Sequence, residues 1–257
     1  MSDSHRAPFS VVIPARFASS RLPGKPLLDL CGKPMIQWVW ERARASGATE
    51  VIIATDDERI ATTCRAFGAE AEMTAATHLS GTDRLAEVAA RRGFADERIV
   101  INVQGDEPLI LPQSIAALAQ ALHQRADCDI ATPVARFESA AQWQDPNCVK
   151  AVRDLDGRAL YFSRAPIPWP RDAVPGSLPG EAWHHIGLYA YRVRSLRQFA
   201  AHSPGALELI EKLEQLRALE HGMRIHLLPF PVVPPVGVDT PEDLQRVRAA
   251  LAPTRRP

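Results

Sequence analysis

Residues 9–26 read FSVVIPARFASSRLPGKP, a short apolar run followed by a loop that carries three cations. The apolar run, 9–14, is typical of a strand that is buried on both faces of a sheet. Comparable runs recur as VIIAT at 51–55 and IVINV at 99–103. Because helical patterns separate these runs, the sequence predicts an α/β fold with a mostly parallel, doubly wound sheet between two layers of helices.

The remaining elements are predicted from periodicity, caps and turn residues. Ser80, with Asp83 three residues later, predicts a helix start, and Thr240 with Asp243 predicts another. Helices are predicted at 34–46, 57–67, 80–92, 112–123, 207–221 and 241–251. Further strands are predicted at 70–73, 130–134, 149–152, 159–162, 186–191 and 225–228.

The alternation of strand and helix changes after Phe137. Two short strands there flank Asp156-Gly157, a hairpin turn signal, and residues 164–182 are rich in Pro and Gly. We predict a single domain over 1–257. Its core covers about 9–135 and 192–251, and a β-rich insertion covers about 136–191.

The composition limits the function classes. Thirty basic residues balance thirty acidic ones, which argues against broad nucleic-acid binding through a cationic face. No run approaches the length of a membrane span, and the N-terminal residues lack an apolar signal core. The four cysteines form no CxxC pair or metal knuckle, so a reduced, cytoplasmic location is expected.

The cationic loop contains Arg16, Arg21 and Lys25. In an open α/β sheet, ligands bind beyond the carboxyl ends of the strands, where this loop begins. Arginine and lysine at that position suit a triphosphate. The loop is not a Walker A motif, because Pro26 follows Lys25. A solvated basic loop without a ligand is the alternative.

Two carboxylates are candidate magnesium ligands. Asp106 lies in the segment NVQGDEP at the end of the 99–103 strand, and Asp239 immediately precedes the predicted cap Thr240. Mg²⁺ binds proteins through one or two carboxylates together with substrate phosphates. The alternatives are that Asp106 serves only a turn and that Asp239 interacts only with the helix dipole.

A third polar group lies on the predicted 207–221 helix. Glu211, Glu214 and Gln215 are spaced i, i+3 and i+4, which predicts that they share one helical face. Such a face is either solvated or able to bind ligand hydroxyl groups.

Seven segments together resemble the 3-deoxy-manno-octulosonate cytidylyltransferases, also called CMP-Kdo synthetases. The resemblance extends from about Phe9 to Leu251. The segments are IPARFASSRLPGKPL (13–27), TDRLAEV (82–88), NVQGDEP (102–108), YFSRAPIPW (161–169), HIGLYAY (185–191), LEQLR (213–217) and GVDTPEDL (237–244). The chain departs from the family pattern in its polar N-terminal extension, in Cys31 and in a long loop at 172–182, none of which removes a motif residue.

The resemblance implies a Rossmann-like nucleotidyltransferase core with a dimerisation region inserted. It implies transfer of CMP from CTP to the anomeric hydroxyl of 3-deoxy-manno-octulosonate (Kdo), with release of pyrophosphate, for lipopolysaccharide biosynthesis. It also implies Mg²⁺ as cofactor and a homodimer.

The resemblance assigns roles to individual residues. Lys25, Asp106 and Asp239 are the expected catalytic groups, and both aspartates are expected to bind Mg²⁺. The residues expected to bind CTP are Ala15, Arg16, Arg21, Lys25 and Arg84. The residues expected to bind Kdo are Gln104, Arg164, His185, Tyr189, Glu214 and Gln215, with Arg164 and protonatable His185 facing the sugar carboxylate.

Two rival functions remain open from the sequence. The chain could activate a different acidic sugar, such as a sialic acid, on a related fold. It could also be a phosphate-binding protein that has lost the chemistry, although the presence of Lys25, Asp106 and Asp239 argues against that interpretation.

Overall fold

The computed structural model describes residues 7–18, 22–78, 80–172, 177–231 and 237–252. The strands within these ranges are β1 (Phe9–Ala15), β2 (Asp29–Leu30), β3 (Lys33–Pro34), β4 (Glu50–Thr55), β5 (Glu70–Met73), β6 (Ile99–Asn102), β7 (Ile130–Arg136), β8 (Lys150–Arg153), β9 (Ala159–Ser163), β10 (Trp183–His185), β11 (Tyr189–Arg192) and β12 (Ile225–Pro229). The α-helices are α1 (Met35–Ala45), α2 (Glu58–Ala66), α3 (Gly81–Arg91), α4 (Pro112–Gln124), α5 (Ala140–Gln144), α6 (Val193–Ala201), α7 (Ala206–Glu211), α8 (Gln215–Glu220) and α9 (Pro241–Leu251).

Ten of these strands form one mixed sheet. Its order is β5-β4-β1-β6-β11-β7-β10-β8-β9, and β12 pairs with β7 in parallel. Strands β5, β4, β1 and β6 are all parallel, whereas β11, β10, β8 and β9 make antiparallel pairs. The strands of the predicted insertion therefore extend the same sheet.

Strand β1 lies at the centre of the core, and every residue in it is buried. Val11 and Ile13 pack in one hydrophobic cluster, while Val12 packs in a second cluster on the opposite side. Side chains alternate between the faces of a strand, so both faces of the sheet are covered. This arrangement confirms the predicted α/β class and its doubly wound core.

Two helices begin at the capping residues that the sequence predicts. Ser80 caps α3 and Thr240 caps α9, and each forms a reciprocal capping box with an aspartate three residues later. Both caps satisfy backbone N–H groups that have no partner within the helix. They fix where α3 and α9 begin, next to the ends of the central strands.

The prediction of one helix over 207–221 was wrong. Helix α7 ends at Glu211, Lys212 adopts a left-handed conformation with φ 54°, and α8 begins at Gln215. Glu211 and Gln215 therefore do not lie on one continuous helical face. The structure also contains helix α6 and strand β10, which the sequence pattern did not predict.

In the part of the chain that the structure describes, no helix has both the length and the apolar character needed to cross a membrane.

Candidate active site

The site lies where β1 and β6 end side by side. These strands are parallel neighbours, so the loop after Ala15 and the loop after Asn102 leave the same edge of the sheet. Gly105 makes this approach possible, because a Cβ on it would lie 2.9 Å from the carbonyl oxygen of Pro14. A glycine is required where two backbones come this close.

The segment before α9 joins the same edge. The backbone N–H of Val238 donates to the carbonyl of Asp106 at 2.8 Å. Gly237 lies against the same residue, and a Cβ there would be 3.2 Å from the Asp106 carbonyl oxygen. This contact brings Asp239 next to Asp106, as the sequence predicts for two convergent carboxylates.

Lys25 bridges the two aspartates. Its Nζ lies 2.6 Å from Oδ2 of Asp106 and 3.1 Å from Oδ1 of Asp239. Burial acts to lower the pKa of Lys25, but the two carboxylates outweigh that effect and the pKa is raised. Lys25 is therefore an ammonium at neutral pH.

The bridging ammonium shows that the two carboxylates converge on one cation. Among the described residues, no group of three His, Cys, Asp or Glu side chains is placed to hold a metal. Two carboxylates that share a cation nevertheless fit Mg²⁺, which completes its coordination with phosphate oxygens and water. Asp106 and Asp239 would hold that ion.

A cleft borders this cluster on the side of the cationic loop. Its described lining is Pro14, Ala15, Arg16, Ala18, Lys25, Pro26, Gln104, Gly105, Asp106 and Asp239. Of the residues expected to bind CTP, Ala15, Arg16 and Lys25 line the cleft, whereas Arg21 lies outside the described residues. Gln104, expected to bind the sugar, also lines it.

Arg16 is held by a neighbouring loop. Its Nη2 donates to the carbonyl of His78 at 2.8 Å. The His78 ring is hydrogen-bonded to Glu87 of α3, which also accepts from the backbone N–H of Ala75 at 2.9 Å. These contacts connect Arg16, which is expected to bind the triphosphate, to helix α3.

Arg84 is not among the described residues that line this cleft. Its side chain is completely buried, with Nη2 2.9 Å from Asp56 and Nη1 bonded to Thr74. Its Nε has no hydrogen-bond partner in the part of the chain that the structure describes. The guanidinium thus connects α3 to the end of β4, and the structure does not bring it to Lys25 or Asp106.

His185 is a neutral hydrogen-bonding group. Burial lowers its pKa to about 3, with a smaller contribution from His184. Without a bound ligand His185 is therefore neutral, and a role for it at the sugar carboxylate stays a prediction. Its Nε2 lies 3.0 Å from Oγ1 of Thr132, whose hydroxyl reaches the carbonyls of Ile186 and Leu188 at 3.0 and 2.8 Å.

The tautomer of His185 follows from these contacts. Because the single Thr132 proton is used on a carbonyl, its oxygen accepts from Nε2–H of His185. Nδ1 is then an acceptor. Tyr189 lies beside this ring, with centroids 5.5 Å apart, and pairs with Asn102 across the sheet. Burial raises the pKa of Tyr189 well above its usual value, so its hydroxyl is a neutral donor.

Glu214 and Gln215 contribute buried polar atoms that have no hydrogen-bond partner among the described residues. Oε2 of Glu214 accepts from Oγ1 of Thr82 at 3.2 Å. The atoms without a partner in the described part of the chain are Oε1 of Glu214 and Nε2 of Gln215. Burial raises the pKa of Glu214. Unsatisfied buried polar atoms are uncommon, and a ligand or a bound water would supply the missing hydrogen bonds.

Arg164 is bound chiefly to the protein itself. Its Nε donates to the carbonyl of Glu211 at 2.7 Å and its Nη1 to that of Pro146 at 2.9 Å. The sequence did not single out three residues that contact the expected Kdo-binding residues, namely Thr132, Thr82 and Lys150. No recognised segment marks Thr132 or Lys150, which the pairing of distant strands brings there. Thr82 opens the segment TDRLAEV, but the sequence suggested no role for it.

Known proteins share the sequence and the fold of this chain. A family model described as Cytidylyltransferase matches residues 10–225. The 3-deoxy-manno-octulosonate cytidylyltransferase of Pseudomonas fluorescens is 54% identical over 250 residues, which cover 95% of this chain and 98% of that protein. The chain belongs to the 3-deoxy-manno-octulosonate cytidylyltransferase family.

Other members of the 3-deoxy-manno-octulosonate cytidylyltransferase family match over similar lengths. The protein of that name from Thioalkalivibrio sulfidiphilus is 55% identical over 247 residues, covering 95% of this chain and 98% of that protein. A solved structure of CMP:2-keto-3-deoxy-manno-octonic acid synthetase complexed with CTP superposes with a TM-score of 0.88 at 44% identity, covering 96% of this chain and 99% of that one. A cytidylyltransferase from Leptospira borgpetersenii, 16% identical with a TM-score of 0.60 over 94% of this chain and 85% of that one, shares the fold.

Proposed function

We propose that this chain transfers CMP from CTP to the anomeric hydroxyl of Kdo and releases pyrophosphate. The observation that carries the proposal is the convergence of Lys25, Asp106 and Asp239 on one point beside a cleft at the carboxyl ends of β1 and β6. Family membership gives the reaction, and this cluster supplies the charges that the reaction requires.

The cationic side of the cleft would bind the triphosphate. Arg16 and Lys25 line it, and Arg21 belongs to the same loop. An ammonium and a guanidinium placed here neutralise the negative charge that gathers on the leaving pyrophosphate. Lys25 must exchange its aspartate contacts for phosphate oxygens when the nucleotide binds.

Asp106 and Asp239 would bind Mg²⁺ in the loaded enzyme. When bound there, the ion lowers the pKa of the anomeric hydroxyl and neutralises charge on the reacting phosphate. The hydroxyl oxygen forms a bond to the α-phosphorus, the bond from that phosphorus to the bridging oxygen breaks, and the hydroxyl proton passes to solvent. No described residue is an obvious dedicated base, so positioning and electrostatics account for most of the catalysis.

The sugar would bind on the side of β11 and α8. Gln104, neutral His185 and Tyr189 supply donors and acceptors for hydroxyl groups, and Arg164 supplies the positive charge for the carboxylate. The unpaired atoms of Glu214 and Gln215 support this assignment, because sugar hydroxyls would satisfy both. CMP-Kdo made in this way would serve lipopolysaccharide biosynthesis in the cytoplasm.

We also propose that the enzyme is a homodimer. The apolar side chains of Leu209 and Ile210 on α7 are 54% and 77% exposed, and Leu160 on β9 is 62% exposed. Exposed apolar side chains that lie together, as the neighbours Leu209 and Ile210 do, support a protein–protein contact. Light scattering coupled to size-exclusion chromatography would show twice the mass of the chain, whereas a monomeric mass would refute the dimer.

A pyrophosphate-release assay tests the proposed function. The enzyme with CTP and Mg²⁺ should release pyrophosphate only when Kdo is added. Release of pyrophosphate with N-acetylneuraminate and not with Kdo would show that the substrate is N-acetylneuraminate. Release with neither sugar, despite CTP binding, would favour a binding protein that has lost the chemistry.

A further inference from the structure

Arg164, the residue that follows β9, is held through almost all of its polar atoms. Its backbone N–H donates to Oε2 of Glu211 at 2.9 Å, and its carbonyl accepts from Nζ of Lys150 at 2.7 Å. Its Nε and Nη1 are bound to the carbonyls of Glu211 and Pro146. Nη2 has one long contact within the described residues, 3.5 Å to the carbonyl of Lys212. The Nη2 edge is therefore the part of this guanidinium that remains for a ligand.

Lys150 is an unusual residue to find in the interior. It lies on β8, its side chain is completely buried, and its Nζ also donates to the carbonyl of Asp145 at 2.7 Å. Burial lowers its pKa. Burying an ammonium is costly unless it is well hydrogen-bonded, and here the two carbonyls provide that compensation. Lys150 thereby ties the turn after α5 to the backbone of Arg164.

Glu211 makes the corresponding connection to α7. It is the last residue of that helix, and its Oε1 accepts from Oγ of Ser163 at 2.7 Å while Oε2 accepts from the N–H of Arg164. The chain turns immediately afterwards through left-handed Lys212 and continues to Glu214. One carboxylate thus joins the end of β9 to the break between α7 and α8.

We propose that Glu211 and Lys150 are positioning residues for sugar binding. Without contacting the sugar, they hold the Arg164 guanidinium and the turn that leads to Glu214 and Gln215 at one relative position. A side chain held in its binding geometry before the ligand arrives avoids the ordering cost on binding. This inference rests on the proposed function, in which Arg164, Glu214 and Gln215 face Kdo.

The test compares substitutions at two glutamates whose side chains form hydrogen bonds at opposite ends of α7. Glu211→Gln weakens the acceptor for Ser163 and Arg164 at the end of α7. Glu220→Gln is the matched control, because Glu220 accepts from the backbone N–H groups of Leu207 and Glu208, 3.0 and 3.3 Å away, at the start of α7. Both substitutions loosen α7, but only Glu211 contacts Arg164.

Steady-state kinetics with each substrate varied in turn give the readout. Glu211→Gln should raise the KM for Kdo by about 10-fold, the usual cost of losing charge-assisted hydrogen bonds, and leave the KM for CTP within about 2-fold. Glu220→Gln should change neither. Equal rises in both Michaelis constants, or the same change in the control, would show a general structural role and overturn the proposal.

A double-mutant cycle separates action through Arg164 from an independent contact. Adding Glu211→Gln to Arg164→Ala should raise the KM for Kdo by clearly less than the about 10-fold of the single variant, because the part of the effect that acts through the guanidinium is already lost. Fully additive effects would overturn the proposal. Lys150→Met should behave like Glu211→Gln, and if it fails to fold the Glu211 variants still decide.

The activity of the unsubstituted enzyme separates failure of the proposed function from failure of the positioning inference. If this enzyme releases no pyrophosphate with CTP and Kdo, the proposed function fails. If it is active and Glu211→Gln matches Glu220→Gln, the positioning inference fails while the proposed function stands.

Discussion

The Nζ atom of Lys25 lies 2.6 Å from Oδ2 of Asp106. Lys25, which is expected to bind phosphate, is thus paired with Asp106, which is expected to bind the metal ion. In this arrangement the ammonium supplies the positive charge that the two carboxylates need. Ligand binding must therefore exchange these contacts, and substitutions at either residue are expected to affect both CTP and metal binding.

Asp106→Asn and Asp239→Asn should each reduce kcat by at least about 10²-fold, because stabilising charge in the transition state is worth several kcal/mol. Pyrophosphate release at saturating Mg²⁺ measures the effect, and thermal unfolding checks that the fold is intact. Near-normal turnover in both variants would remove these residues from the metal site.

Lys25→Ala should raise the KM for CTP or lower kcat, and leave the KM for Kdo nearly unchanged. The reason is that Lys25 lines the cleft next to Arg16 and belongs to the loop expected to bind the triphosphate. Kinetics with each substrate varied separately provide the measurement. Normal CTP kinetics combined with a lower Tm would instead show that the loop is structural.

Gly105→Ala should both destabilise the fold and reduce activity. The added methyl group would lie 2.9 Å from the Pro14 carbonyl oxygen, so β1 and the loop after β6 must separate. We expect a loss of about 1–3 kcal/mol in the free energy of unfolding, typical of overpacking, measured by urea denaturation. Gly180→Ala is the control, because no atom of the described residues lies within 4 Å of its added methyl group.

Buried His185 should make stability depend on pH in acid. Its pKa is about 3 when folded, against an ordinary value of 6.5 for histidine. As pH falls below about 6.5, the unfolded chain gains a proton that the folded chain does not, so stability is lost as pH falls towards 3. The loss at pH 5 should be roughly 2 kcal/mol relative to pH 7.5.

His185→Gln removes this titration and retains a hydrogen-bond donor for Thr132. Urea denaturation of both proteins across pH 5–7.5 provides the test, since the other titrating groups are common to both. The variant should lose less stability on acidification. Parallel curves would show that His185 is not buried as a neutral group.

Kdo should be strongly preferred to N-acetylneuraminate, measured as kcat/KM at fixed CTP. The buried atoms of Glu214 and Gln215 need particular hydroxyl groups, and a sugar that leaves them unpaired loses orders of magnitude in kcat/KM. Gln215→Ala should raise the KM for Kdo far more than that for CTP. Equal kcat/KM values for the two sugars would contradict the sugar assignment.

The features that local sequence determines were predictable. Ser80 and Thr240 carry their capping partners within three residues, and both helices begin there. The ends of the buried runs also indicated where Asp106 and the cationic loop lie. In each case the deciding chemistry is contained in a few neighbouring residues.

The break at Lys212 could not be predicted in this way. No Gly, Pro or Asn marks it, and Leu209, Leu213 and Leu216 continue a helical pattern across it. The carbonyls of Glu211 and Lys212 instead bind Arg164, which is 47 and 48 positions away. Similarly, the neutral state of His185 depends on burial that the strand pairing creates.

Lys25 and Asp239 are 214 positions apart in the chain. During synthesis, the cationic loop and the strands around Asp106 leave the ribosome long before Asp239 does, and domains fold as their chain emerges. The bridge between the two aspartates can therefore close only after the 214 residues that follow Lys25 have been made. A chain that stops before Asp239 contains the parallel strands β1, β4, β5 and β6, but it lacks the second carboxylate and is expected to be inactive.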